Sequence, residues 1–149
     1  MAEELHTADF FGWTAQQAAL LRAGKIDEID RENLAEEIED MGKSLQRELV
    51  SRLTILFIHL LKWQFQPGYR RNSWRYTIEE QRDQLTDHLL DNPSMQQKIP
   101  QALARTYKYA RTGAVRETGL DRKSFPEECP WSFEQTLDHA FLPESNQPC

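Results

Sequence analysis

The sequence predicts an all-α fold: about five helices in an irregular bundle built on one long second helix. Three observations carry that prediction. Apolar residues recur at spacings of three and four through most of the chain. Capping residues, prolines and glycines stand at the ends of those periodic runs. No stretch alternates over five residues with strand-type chemistry. The 149 residues are the size of one ordinary domain. The expectation is a single all-helical domain over 1–149, frayed at about 1–6 and 144–149.

The first helix falls in "TADFFGWTAQQAALLRAG", where Phe10, Trp13, Gln17, Leu20 and Leu21 recur at helical spacing. Thr7 or Asp9 caps its start and Gly24 closes its end. Asp30 is the N-cap of the second helix, and Glu32 in its first turn suits the helix dipole. Its apolar stripe runs Leu34, Ile38, Met41, Leu45, Leu49, Leu53, Leu56 and Leu60. It can continue to Phe65, before Pro67-Gly68. One helix from Asp30 to Phe65 would be about 54 Å long. A compact chain of this size is about 40 Å across. The helix therefore breaks near Gly42, or it protrudes and pairs with something.

Ser73 or Thr77 begins the third helix, with "TIEE" as a capping box and Trp74, Ile78, Gln81, Leu85 and Leu89 as its stripe. "DNPS" ends it. "SMQQ", from Ser94 to Gln97, is another box, and Pro100 either kinks the next helix or marks its true first turn. The stripe Leu103, Tyr107, Ala110, Ala114 leads to Gly119. "FPEECPW" is extended and proline-locked. Ser132 caps a short last helix, "SFEQTLDHAF", with Gln135 completing its box.

Charge and cysteine content narrow the function classes. A net charge of −6 argues against general nucleic-acid binding, which needs a basic face. Two cysteines, Cys129 and Cys149, make neither a disulfide framework nor a metal-ligand spacing. Two glutamates precede Cys129, the opposite of what activates a thiol, so it reads as a packed small residue. "MAEELHTADF" lacks a basic-then-apolar leader. The longest apolar run, "LTILFIHLLKW", is too short and interrupted to span a bilayer. A cytoplasmic protein with no membrane span is the expectation.

Three clusters are candidate sites. "LAEEIEDMG" places Glu36, Glu37, Glu39 and Asp40 in one and a half turns. At about 100° per residue only Glu37 borders the stripe, which favours a solvated acidic face. A metal site needs carboxylates from a facing helix as well. "EEIED" and the later "EQRD" are similar to the E-E-x-x-E and E-x-x-D elements of MazG-type nucleotide pyrophosphohydrolases. That likeness implies Glu36, Glu37, Asp40, Glu80 and Asp83 holding Mg²⁺ on a diphosphate. The first element here ends in Asp rather than Glu, and the interval between the two is longer.

On the second helix Glu48, Arg52, His59 and Trp63 project near the centre of the apolar stripe. Polar groups there cost free energy unless paired. Glu48 and Arg52 can pair at i,i+4, while His59 needs a partner such as His88, Glu79, Asp83 or Tyr107. The alternatives are a structural network and a polar pocket with His59 as acid, base or ligand. In "YRRNSWR", Arg70, Arg71 and Arg75 form a candidate anion-binding turn, or a basic patch answering the protein's own acidic helices.

From Asp9 to Phe141 the chain resembles the bacterial family called domain of unknown function 29. The resemblance rests on "FFGWTAQQAALLRAGKIDEIDRENLAEEIEDMGKSLQRELVSRLTILFIHLLKWQFQP", followed in order by "RNSWRYTIEEQR", "ALARTYKYAR", "ETGL" and "FPEECPW". It implies an all-helical fold, no established activity and no catalytic residues to carry over. The expected role is a non-catalytic helical interaction or adaptor domain with a protein partner, or self-association, through its helices. No cofactor is expected. The alternative is a Mg²⁺- or Mn²⁺-dependent nucleotide-type hydrolase using carboxylates of helices two and three.

Overall fold

The computed structural model describes residues 2–144. Cys149 and the fraying expected of the last five residues lie outside the described residues. Among the described residues there are six α-helices, four short 3-10 turns and no strand. The helices are α1 (Ala2–Ala8), α2 (Phe10–Arg22), α3 (Arg31–Phe65), α4 (Asn72–Asp91), α5 (Ile99–Thr118) and α6 (Phe133–Leu137). The expected long second helix is α3, because α1 forms where residues 2–6 are expected to fray.

α3 runs unbroken through Gly42. A glycine inside a helix costs about 1 kcal/mol, too little to end a run so rich in Glu, Leu, Lys and Arg. The chain divides within α3 into two compact units, residues 1–45 and 46–149, where the sequence reads as one domain.

In the first unit α1 and α2 pack together beside the start of α3. Asp9 caps α2, its side chain accepting from the Gly12 amide at 3.0 Å. Gly24 follows with φ +73°, the left-handed conformation that glycine tolerates. Trp13 and Gln17 are the buried residues of α2. Both face Asp30: the Trp13 indole donates to Asp30 Oδ2 at 3.0 Å, and the Asp30 amide donates to Gln17 Oε1 at 2.7 Å. Asn33 donates to the same carboxylate at 2.8 Å. The Asn33 bond does most to lower the Asp30 pKa; desolvation opposes it and the Trp13 bond adds to it.

In the second unit the rest of α3 packs with α4 and α5 around one core. Leu49, Leu53, Leu56 and Leu60 of the stripe are all 0% exposed. Ile78, Leu85 and Leu89 of α4, Tyr107, Ala110 and Ala114 of α5, and Phe125 join them. Gly113 is the close-approach point, because a Cβ there would lie 2.6 Å from Ile58 Cδ1. α5 starts with Pro100 in its first turn and ends at Gly119, φ +73°, whose amide donates to Val115 O. The Ser132–Gln135 capping box forms in full, but α6 stops at Leu137. Arg82, 1% exposed, donates from Nε to the Thr136 carbonyl at 2.8 Å and so ties α4 to α6.

Two local expectations change. α4 starts at Asn72 with Arg71 as N-cap, so neither Ser73 nor Thr77 begins it. Thr77 is interior, and its hydroxyl donates back to the Ser73 carbonyl at 2.9 Å. The stripe of α3 predicts burial from Leu34 to Leu60, yet Ile38 is 64% and Met41 66% exposed.

Candidate functional site

The four polar or aromatic residues read as one pocket on α3 separate into three environments. Glu48 and Arg52 pair as their spacing requires: Arg52 Nε and Nη2 both lie 3.1 Å from Glu48 Oε1. α4 completes the network. His88 Nδ1 stands 3.3 Å from Glu48 Oε2, and Arg52 Nη1 donates to Gln81 Oε1 at 3.4 Å. His88 and Gln81 are both buried, so these bonds stitch α3 to α4 at the edge of the core.

His59 takes no part in that network. Its Nδ1 lies 2.8 Å from the carbonyl of Ile55, one turn back on its own helix. Burial lowers its pKa most, the Ile55 bond raises it, and nearby Lys62 lowers it. The expected cross-helix partners are not those it bonds.

Trp63 belongs with the arginines instead. The Arg70 guanidinium lies 4.7 Å from the Trp63 ring centre and Arg75 lies 6.0 Å away. Arg70 Nε also donates to the Trp63 carbonyl at 2.8 Å, helping satisfy the last turn of α3. Arg71 points elsewhere, 6.0 Å from the Trp74 ring, which Lys62 approaches to 4.7 Å. Lys62, Gln66, Tyr69, Arg71, Trp74 and Glu117 line a cavity of about 380 Å³. Glu117 accepts from Lys62 at 3.3 Å there, so one of its two cations is already answered. The three arginines thus do not converge on one point; two stack on Trp63 and one enters this cavity.

The five carboxylates read as metal ligands are placed as follows. Glu36, Glu37 and Asp40 lie in the first unit, and Glu80 and Asp83 in the second. Glu37 Oε1 is 2.8 Å from His6 Nε2 of α1. Asp83 Oδ1 is 3.0 Å from His139 Nε2. Glu36, Asp40 and Glu80 are exposed. Among the described residues no three His, Cys, Asp or Glu side chains gather as a metal ion requires. Cys129 is packed, its Sγ 3.4 Å from the Trp131 carbonyl, and burial raises its pKa, as expected of an inert thiol.

A further surface was missed in the sequence because its residues read as core. In the first unit Phe10, Trp13, Ala18 and Leu21 of α2 face Leu34, Ile38 and Met41 of α3 across a groove of about 310 Å³. Its walls are mainly apolar. Trp13 lies buried among them, its ring 5.5 Å from Phe10 and stacked on it. His6 of α1 meets the edge of Trp13 at 4.6 Å.

The described residues are all-helical, with a polar network around Asp30, another between α3 and α4, an arginine–tryptophan stack and an open apolar groove. The chain belongs to the family described as domain of unknown function DUF29, whose model matches residues 5–142. Comparison with curated proteins and with solved structures finds no match to either. No helix among the described residues is long and apolar enough to cross a membrane.

Proposed function

We propose that the protein is a non-catalytic helical interaction domain, and that the groove between α2 and α3 in residues 1–45 receives a helix of a protein partner. The observation that carries this reading is the exposure of Ile38 and Met41 on a groove whose floor is already apolar. Single exposed aliphatic residues are ordinary on protein surfaces. Here Phe10, Leu21, Ile38 and Met41 are all exposed and line one depression. Contiguous apolar surface of that kind marks interaction sites.

The groove also has the right form. It is walled by two helices, and a third helix laid between them would place its i, i+3, i+4, i+7 residues inside. Covering the exposed two-thirds of Ile38 and Met41 would contribute roughly 1–2 kcal/mol each, about two-thirds of the full burial of such a residue. Only what such contacts and the partner's own buried face supply beyond the cost of association appears as affinity.

The test follows the methionine methyl signals. The chain has three methionines, Met1, Met41 and Met95. Met95 is buried in the second unit. With ¹³C-methyl methionine, a helical peptide with a leucine face and a glutamine polar face is expected to shift the Met41 signal and leave Met95 in place. A Met41 signal that stays put at millimolar peptide refutes the reading.

A further inference from the structure

The groove lies in the part of the chain that carries all of the net negative charge. Residues 1–45 contain eleven Asp and Glu against four Lys and Arg, a net −7. Residues 46–149 contain thirteen against fourteen, a net +1. The α3 wall of the groove supplies Ile38 and Met41, and the same turns carry Glu36, Glu37, Glu39 and Asp40. Glu37 itself lines the groove, where His6 holds it.

We infer that the occupant of this groove is a basic amphipathic helix, with aliphatic residues on one face and Lys or Arg on its flanks. The inference rests on the docking reading above and adds the sign of the partner's charge. A second copy of this chain paired groove to groove fits poorly, because it would bring −7 against −7. An acidic helix meets the same repulsion. A basic one satisfies both features at once: its aliphatic face fills the groove, and its flanking cations meet Glu37 at the groove wall and the net negative field of the unit. The electrostatic part acts over about one Debye length, roughly 10 Å at 0.1 M salt, so it is sensitive to ionic strength. Complementary charge of this kind sets partner choice and association rate more than it sets total affinity.

The experiment uses the full chain and three 20-residue helical peptides. All share one leucine face, and their polar positions are Lys, Gln or Glu. Fluorescence anisotropy of labelled peptide at low salt is expected to rank affinity Lys, Gln, Glu, with at least about tenfold between Lys and Gln. The gap should narrow severalfold when salt is raised from about 0.05 to 0.5 M. Two exposed variants locate the effect. Ile38→Asp makes the unit more acidic, so mere electrostatic adhesion of the Lys peptide would strengthen, whereas docking in the groove is expected to be lost. The triple variant Glu36→Lys, Glu39→Lys, Asp40→Lys takes the unit from a net −7 to −1 and is expected to remove most of the preference for Lys over Gln.

If Lys and Gln peptides bind equally well, the charge inference is overturned and the docking reading stands. Should no peptide bind, the docking reading fails and takes this inference with it. A concentration-dependent dimer in sedimentation, dissolved by Ile38→Asp, overturns it in favour of a second copy. Lys-peptide binding that survives Ile38→Asp overturns it as well, by showing that the groove is not involved.

Discussion

Two alanine substitutions on the single helix α3 separate burial from periodicity. Leu53 and Ile38 belong to the same three-four stripe, but Leu53 is 0% and Ile38 64% exposed. Leu53→Ala removes a wholly buried isobutyl group from a core that includes Leu49, Leu56 and Phe57. Lost transfer energy and the remaining cavity together cost about 3–4 kcal/mol. With a urea m-value of about 2 kcal/mol/M, the midpoint should fall by about 1.5–2 M. Ile38→Ala withdraws only about a third of a side chain's burial, roughly 0.5–1 kcal/mol. The better helix propensity of alanine returns about 0.4 kcal/mol of that. The net cost is about 0.5 kcal/mol or less, a midpoint shift under about 0.3 M. The assay is urea unfolding followed at 222 nm for wild type and both variants. A loss at Ile38 as large as that at Leu53 would show Ile38 in a packed core, and the reasoning behind the groove would collapse.

Three further outcomes follow from buried polar groups. Arg82→Ala should cost about 3 kcal/mol in the same urea assay, because the carbonyl of Thr136 loses its donor and a buried stem leaves a void; a change under about 1 kcal/mol would mean the α4–α6 tie contributes little. The pKa of His59 is lowered by burial, so the unfolded chain takes up its proton first. Its contribution is therefore whole above about pH 6.5 and is lost as pH falls through the folded value, and His59→Gln should flatten stability against pH below that point. Burial pushes the Tyr107 phenol up to about 12, and its hydroxyl donates to the Pro126 carbonyl at 2.7 Å. The stability it adds is present below pH 10 and lost as pH rises through about 12, so ultraviolet titration should show a phenolate step there that Tyr107→Phe removes.

Local chemistry made much of the fold legible. Asp9, Asp30, Ser132 with Gln135, and Gly119 stand at the helix ends their residue types announce, since a cap needs only its own neighbourhood. The stripe of α4 is buried at every expected position, because α3 and α5 both cover it. The α3 stripe was legible only from Leu49 onward. Periodicity shows which residues share a face, and nothing in it tells whether a neighbour exists to cover that face. Residues 1–45 offer only α1, α2 and the start of α3, too little helix to enclose Ile38 and Met41.

The candidate sites were legible to the same degree. The Glu48–Arg52 pair follows from i,i+4 spacing alone. That His88 and Gln81 extend it depends on the register between α3 and α4, which spacing within one helix does not contain. Arg82 had a readable signal, since it lies four residues after Ile78 on the buried face of α4. The carbonyls that receive it, on α6, did not. Trp63 went to Arg70 and Arg75 because the Pro67–Tyr69 turn folds the chain back on the end of α3.

The extended segment after α5 has a property that sets it apart from the helices. From Phe125 to Trp131 the backbone forms neither helix nor strand. The segment is held laterally: Phe125 is buried against Phe65 at 5.4 Å, Trp131 stacks on Phe57 at 6.3 Å, and the Tyr107 hydroxyl grips Pro126. Anchoring through side chains fixes where this strap lies without shielding its peptide groups in a repeating ladder. Deuterium should therefore enter the amides of residues 127–129 far faster than those of α4 and α5, although the rings on either side pack against the core. In this stretch of chain, positional order and exchange protection are decoupled.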